Sequence, residues 1–119
     1  MKILLVDDEP HILNALKRIF RGQSWEIVTA GSADEALLVL QNQKPELIIT
    51  DYKMPGKDGL ALARETLQVH PNLKIFLLSG TLCADEIPAE LRLKLKLFSK
   101  PWNTEQLIAA IQEVEKAHS

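Results

Sequence analysis

Carboxylate side chains stand directly after short apolar runs of this sequence. Asp7 and Asp8 follow the first run, and Asp51 follows a later one. Ionised carboxylates that share a small volume repel one another, and they stay together only when they are protonated or when a cation neutralises them. A few carboxylate oxygens, with room for water and a phosphate, are ligands that suit Mg²⁺. If the fold brings these three side chains together, they form a site for a divalent metal ion.

A hydroxyl and an ammonium group are placed in a similar way. Ser79 ends another apolar run, and Lys100 comes directly before Pro101. A carboxylate beside Mg²⁺ can attack phosphorus and form an aspartyl phosphate, while the metal and a lysine offset charge on the phosphoryl oxygens. Asp51 suits the attacking role because turn-forming residues at 55–59 bend the chain after it. Lys100 would supply the cation and Ser79 a hydroxyl donor.

Alternating strands and helices would place these residues at one edge of a sheet. Short apolar runs alternate along the chain with stretches whose apolar residues recur every three or four positions. This pattern predicts an α/β fold: a doubly wound, five-stranded parallel sheet of the flavodoxin-like order 2-1-3-4-5, with helices on both faces. The first and third strands are then neighbours about 4.8 Å apart, so the three carboxylates converge. We expect the second strand at an edge, and strands near 3–6, 25–29, 47–49, 75–78 and 95–99.

Residues that are typical of helix starts support the predicted alternation of strands and helices. Pro10 suits the first turn of a helix, and Ser32 with Glu35 has the spacing of a capping box. Asp58 and Asn103 are suited to cap two later helices. Each of these residues precedes or begins a stretch of helical period, so together they predict where the helices begin.

The segment before Lys100 does not follow the pattern. Residues 91–97 alternate strictly between leucine and a charged residue, which is typical of a half-buried strand. A parallel fifth strand nevertheless needs a helix or a long loop before it. We therefore expect a short, poorly formed helix near 87–93 and a strand near 95–99.

Four segments of the chain together resemble the receiver domain of bacterial two-component response regulators. In sequence order they are Asp7-Asp8-Glu9, Asp51-Tyr52-Lys53-Met54-Pro55-Gly56-Lys57-Asp58-Gly59, Ser79-Gly80 and Lys100-Pro101-Trp102. The resemblance covers essentially the whole chain, as a single receiver domain over residues 1–119. It implies a phosphorylation-dependent signalling switch that relays its signal through a changed surface.

The resemblance also assigns an acceptor and a metal. It implies that Asp51 accepts a phosphoryl group, in a Mg²⁺-dependent reaction, from the phosphohistidine of a sensor histidine kinase or of a phosphotransfer protein. It implies that Asp8 and Asp51 hold Mg²⁺ directly, and that Asp7 acts chiefly through water. The backbone carbonyl of Lys53 is a further metal ligand on the same grounds.

Two more roles come from the resemblance: Ser79 and Lys100 would bind the phosphoryl oxygens. Transfer to Asp51 modifies the protein itself, so we expect a switch rather than an enzyme. An added phosphate brings about −1.5 to −2 charge and three acceptor oxygens, enough to reorganise the loop after Ser79. The partner on the output side is an unknown effector domain or protein, and phosphorylation could drive dimerisation.

The sequence departs from the family on the surface that normally faces partners. Receivers usually carry an aromatic residue three positions before the lysine, whereas this chain has Leu97 there, with Phe98 beside it. Pro88 falls where the fourth helix should begin, and the glycine turn usually found between that helix and the fifth strand is missing. We therefore expect this surface to be unusual in shape.

Composition excludes several other classes of protein. A length of 119 residues fits one domain, and a formal charge of −2 argues against direct nucleic-acid binding as the main function. No run of about 18 apolar residues is present, so we expect no membrane span and a cytoplasmic protein. The single Cys83 cannot form an internal disulfide.

Three other functions share part of this chemistry. A Mg²⁺-dependent phosphohydrolase with an aspartyl nucleophile usually carries Asp-x-Asp after its first strand, whereas Asp7 and Asp8 are adjacent. A flavin binder would need a loop rich in Gly, Ser and Thr in place of this acidic one, which repels a flavin phosphate. A receiver fold that takes no phosphate and serves as a docking scaffold is the remaining alternative.

Overall fold

The apolar runs form one parallel sheet in the computed structural model, which describes residues 1–117. The five strands are β1 Lys2–Val6, β2 Glu26–Ala30, β3 Leu47–Asp51, β4 Lys74–Ser79 and β5 Leu95–Ser99. Their order is β2-β1-β3-β4-β5, and every neighbouring pair is parallel. The predicted doubly wound order and the edge position of β2 are confirmed.

Helices cover both faces of the sheet: four of them connect successive strands, and the fifth follows β5. They are α1 Pro10–Ile19, α2 Ala33–Asn42, α3 Gly59–Val69, α4 Ala89–Arg92 and α5 Thr104–Ala117. The Asp58 carboxylate accepts a hydrogen bond from the Ala61 amide at 2.8 Å, and Asn103 accepts one from the Gln106 amide at 3.0 Å. These contacts satisfy amides that have no partner inside the helix, as predicted for α3 and α5. Within residues 1–117, no helix is long and apolar enough to cross a bilayer.

The start of α2 differs slightly from the predicted capping box. The Ser32 hydroxyl accepts a hydrogen bond from the Glu35 amide at 3.1 Å, as the motif requires. The Glu35 carboxylate, however, accepts from the amide of Gly31 at 2.9 Å. The reciprocal bond therefore lies one residue earlier than in a standard capping box, and both backbone donors are still satisfied.

Two apolar layers cover the sheet. Side chains alternate along β1, so Ile3 and Leu5 pack in the core beneath α1 and α5, while Leu4 and Val6 pack beneath α2 and α3. All four are almost completely buried. Burial on both faces explains why the central strands are continuous apolar runs without polar alternation.

The connection between β4 and β5 contains the short helix predicted near 87–93, together with a turn that was not predicted. It contains a 3₁₀ turn, Ala84–Glu86, followed by the one-turn helix α4. Pro88 separates the two because it has no amide hydrogen to continue a helix and sits as the N-cap of α4. The Arg92 guanidinium donates to the Ile87 carbonyl at 2.9 Å and holds the two pieces together. The predicted strand at 95–99 is confirmed as β5.

Candidate functional site

The three predicted carboxylates meet at the carboxyl edge of the sheet. Oxygen atoms of Asp7, Asp8 and Asp51 lie within 4.8 Å of one another. The pairing of Val6 with Thr50 in neighbouring strands β1 and β3 sets this distance, because each acidic residue stands at or just past the end of its strand. Asp7 and Asp51 are buried, and Asp8 is exposed.

Asp7 carries a buried negative charge that its neighbours compensate only in part. One carboxylate oxygen, Oδ1, accepts a hydrogen bond from the Glu9 amide at 2.9 Å. The other, Oδ2, is buried and has no hydrogen-bond partner. Burial, reinforced by the neighbouring charges of Asp51 and Asp8, raises the pKa of Asp7 above its ordinary value despite the Glu9 hydrogen bond and the Lys100 charge. A buried anionic oxygen without a donor is suited to a cation, so this donor set fits Mg²⁺.

Lys100 approaches the same cluster from β5. Its Nζ lies 2.9 Å from Oδ1 of Asp51 and 3.8 Å from Oδ2 of Asp7. The Lys100 amide donates to the Ser79 carbonyl at 3.0 Å, and the peptide bond to Pro101 is cis. Partial burial lowers the pKa of Lys100, but the hydrogen bond and charge of Asp51, with the charges of Asp7 and Glu9, together raise it above the ordinary value. The lysine is therefore a stable cation opposite the carboxylates.

Ser79 closes the cleft at the end of β4. Its hydroxyl oxygen accepts hydrogen bonds from the amides of Thr81, at 3.1 Å, and Leu82, at 2.9 Å. The hydroxyl acts as an acceptor in both contacts, so its own hydrogen can be donated to an oxygen in the cleft. Ser79 thus links the cleft to the backbone that leads towards α4.

The loop between β3 and α3 brings Lys53 to the same place. The Tyr52 amide donates to the Leu78 carbonyl at 2.9 Å, and the Gly59 amide donates to the Tyr52 carbonyl at 2.7 Å. Gly56 has φ +79°, a left-handed conformation that favours glycine. These contacts close the loop tightly, and Lys53 lies exposed at the mouth of the cleft.

A cleft of about 290 Å³ results from this convergence. The residues that line it are Asp8, Glu9, Asp51, Lys53, Ser79, Gly80, Thr81 and Lys100. Every residue predicted for the site lies in this lining except Asp7, which is buried behind it. Thr81 was not predicted, although its position two residues after Ser79 on an exposed loop could have indicated it.

The fold and the cleft together define a class: a flavodoxin-like, doubly wound domain with an acidic cluster and a lysine where the strand order reverses. Comparison with protein families agrees, since the model of the response regulator receiver domain matches residues 3–112. The chain belongs to this family, the receiver domains of two-component response regulators.

Relatives and solved structures give the same result. The chain is 33% identical over 117 residues to the transcriptional regulatory protein YesN of Bacillus subtilis, covering 95% of this chain and 32% of that protein. It is 26% identical to the sporulation initiation phosphotransferase F of Bacillus subtilis, and the match covers 94% of this chain and 91% of that protein. A receiver domain structure from Clostridium thermocellum superposes with a TM-score of 0.87 at 28% identity, covering 98% and 95%. The chain therefore spans about a third of the YesN regulator and most of the phosphotransferase.

Proposed function

We propose that Asp51 is the phosphoacceptor of a signalling switch and receives its phosphoryl group from a phosphohistidine. The observation that supports this most directly is the 2.9 Å contact between Lys100 Nζ and Asp51 Oδ1 inside an acidic cleft. An ammonium in this position can follow the transferred charge from the carboxylate to the phosphoryl oxygens. Membership of the receiver family supports the same role.

Mg²⁺ is the metal that we propose for the cluster, held directly by Asp8, Asp51 and the backbone carbonyl of Lys53, with Asp7 acting chiefly through water. The buried Asp7 oxygen without a partner and the short distances within the cluster support this assignment. A bound divalent ion would offset negative charge on the phosphoryl oxygens and on the carboxylates.

The transfer itself is a displacement at phosphorus. A carboxylate oxygen of Asp51 forms a bond to phosphorus while the bond from phosphorus to the donor imidazole nitrogen breaks, and that nitrogen keeps the electron pair. Lys100 stays close to the reacting group as the neutralising cation, and the Ser79 hydroxyl donates to a phosphoryl oxygen. Water later hydrolyses the acyl phosphate, so the protein is modified and restored and turns over no separate substrate.

The switch would act through Ser79. In the unphosphorylated protein its hydroxyl holds the amides of Thr81 and Leu82. A phosphoryl oxygen on Asp51 would accept the free hydrogen of this hydroxyl and draw Ser79 towards the cleft, and the amides bonded to Ser79 would move with it and change the course of the loop towards α4. We infer that this change alters the surface formed by α4, β5 and α5, which faces an effector domain or a second protein.

The partners follow from this function. A sensor histidine kinase or a phosphotransfer protein would supply the phosphoryl group, in the cytoplasm. The relatives named as transcriptional regulators are about three to four times as long as the matched segment, so an effector domain could be joined to a receiver of this kind. The proposed output includes dimerisation on phosphorylation, without direct contact between this domain and nucleic acid or membrane.

Intact-mass spectrometry after incubation with a small-molecule phosphodonor tests the proposal. We expect the wild type to gain one phosphoryl group with Mg²⁺ and essentially none after chelation. Asp51→Asn should gain none, whereas the matched control Asp85→Asn, which changes an exposed aspartate outside the cleft, should behave as the wild type. Absence of any gain in a folded wild type would contradict the proposal and favour a docking scaffold.

A further inference from the structure

A second concavity lies between α2 and α3, with a volume of about 360 Å³. Its lining residues are Leu37, Leu40, Gln41, Lys44, Glu65, Thr66, Val69 and His70. Both helices run back from the carboxyl edge of the sheet to its amino edge, and most of these residues belong to their second halves. The groove is therefore separate from the acidic cleft. We propose that it binds a small amphiphile with an apolar body and one carboxylate head group.

The apolar part of the groove is unusually open to solvent. Val69 is 72% exposed, one of three large apolar side chains among residues 1–117 that stand out from the surface in this way. It faces the same concavity as Leu37 and Leu40, which belong to or pack against the core of this face. Concave apolar surface of roughly 300–1,000 Å³ with few polar groups is the usual form of a small-molecule site.

Charge is distributed unevenly along the groove. Glu65 is offset by Lys57, whose Nζ lies 2.9 Å from its Oε2 and 3.4 Å from Oδ1 of Asp34. At the other end, Lys44 follows the end of α2, and His70 is the C-cap of α3. Within residues 1–117 neither of these two side chains has an ion-pair partner. The Lys44 ammonium is therefore the one positive charge without an ion-pair partner among the described residues that line this groove, and it favours an anionic head group at this end.

The groove also contains a buried hydroxyl group, that of Thr66, which makes no hydrogen bond. Thr66 is buried, lies one turn before His70 on α3, and lines the groove. Buried hydroxyls usually have a partner, so this one leaves hydrogen-bonding capacity unused beside the positively charged end. The apolar wall and the Lys44 ammonium suit a carboxylate-bearing apolar molecule, and the Thr66 hydroxyl, which is closed to solvent, would gain a partner where the groove opens around the ligand.

Titration of the unphosphorylated chain with sodium octanoate, followed by amide chemical shifts in two-dimensional NMR, tests the proposal. We expect saturable shift changes at Leu37, Thr66 and Val69, and weaker binding of octanamide, the neutral analogue. Lys44→Gln should weaken octanoate binding by about threefold and abolish the preference over octanamide. Lys17→Gln, a matched change on the opposite face of the sheet, should leave binding unchanged.

Two outcomes would overturn the proposal. One is the absence of saturable shifts at the groove in a folded wild type at millimolar octanoate. The other is equal binding of octanoate and octanamide, or an equal loss in Lys44→Gln and Lys17→Gln, because the head group would then make no specific contact. None of these results depends on phosphorylation of Asp51, so they are distinguishable from a failure of the proposed switch.

Discussion

Asp7 and Asp8 are adjacent in sequence, but Asp7 is buried and Asp8 is exposed. One buried oxygen of Asp7 makes no hydrogen bond, and burial raises the pKa of this carboxyl. The convergence of Asp7, Asp8 and Asp51 could be predicted from the sequence because the ends of neighbouring parallel strands share an edge. Which of the adjacent carboxylates is buried could not be predicted, since the packing around the strand end decides it.

Asp7→Asn should stabilise the metal-free protein by about 1 kcal/mol at neutral pH, because it removes a buried charge while the Glu9 amide can keep an acceptor. The raised pKa of Asp7 means that its ionised form favours the unfolded state. The gain is therefore full above the folded-state pKa, shrinks as the pH falls through it, and vanishes below the ordinary value of 3.8. Urea unfolding with EDTA between pH 3 and 8 measures this, and a gain that grows towards acid pH would disprove it.

Thr66→Val should also stabilise the protein, by about 1 kcal/mol, because the lost hydroxyl is buried and makes no hydrogen bond. The matched control is Thr50→Val, since the Thr50 hydroxyl is buried but donates to the Asp51 carbonyl at 2.9 Å. That variant should lose about 1 kcal/mol. Chemical denaturation measures the free energy of unfolding of both variants. If the two substitutions changed this free energy in the same direction, the two hydroxyl environments would not differ as described.

The position of the site residues depends on how closely the helices and strands pack. The sequence motifs predict where these elements begin, but only part of their packing. The turn-forming residues after Asp51 predicted a loop and the start of α3, and both are present. The reason for a glycine at position 59 is visible only in three dimensions: α3 begins against the backbone of β3. The connection before β5 was harder to predict, because its leucine alternation suits a strand while Pro88 divides the helix there.

Gly59→Ala should destabilise the protein by about 2 kcal/mol and reduce phosphorylation of the folded fraction. A Cβ at this position would lie 2.5 Å from the Asp51 carbonyl oxygen and 2.6 Å from Leu77 Cδ1, so the strand that carries Asp51 must shift. Gly22→Ala is the control, since no atom lies within 4 Å of its added Cβ. Thermal unfolding and intact-mass labelling measure both effects; equal stability of the two variants would contradict this explanation.

At the scale of the whole molecule, the strand order was predictable because alternating elements and apolar central strands leave few arrangements. The detailed form of the surface made by α4, β5 and α5 was not, since it depends on how the short α4 packs. That helix leaves Leu93 97% exposed and Leu97 only partly buried. The groove between α2 and α3 also had no sequence signal, because residues distant in sequence form it.

Mg²⁺ should stabilise the whole domain, because the proposed metal site is formed by the folded cluster and not by the unfolded chain. At ten times its dissociation constant the gain is about 1.4 kcal/mol. Asp8→Asn should reduce this gain strongly, while Asp34→Asn, an exposed aspartate on α2, should keep it. Urea unfolding with and without MgCl₂ provides the comparison, and an equal gain in both variants would argue against a metal site at the cluster.

Mapping the phosphorylated residue tests the role of the cleft most directly. The chain is incubated with a phosphodonor and Mg²⁺, and borohydride reduces the acyl phosphate to an alcohol that tandem mass spectrometry of peptides can locate. We expect the modification at Asp51 alone. Modification at Asp7, Asp8 or Asp58 instead, or none in a folded wild type, would contradict the assignment of Asp51 as the acceptor.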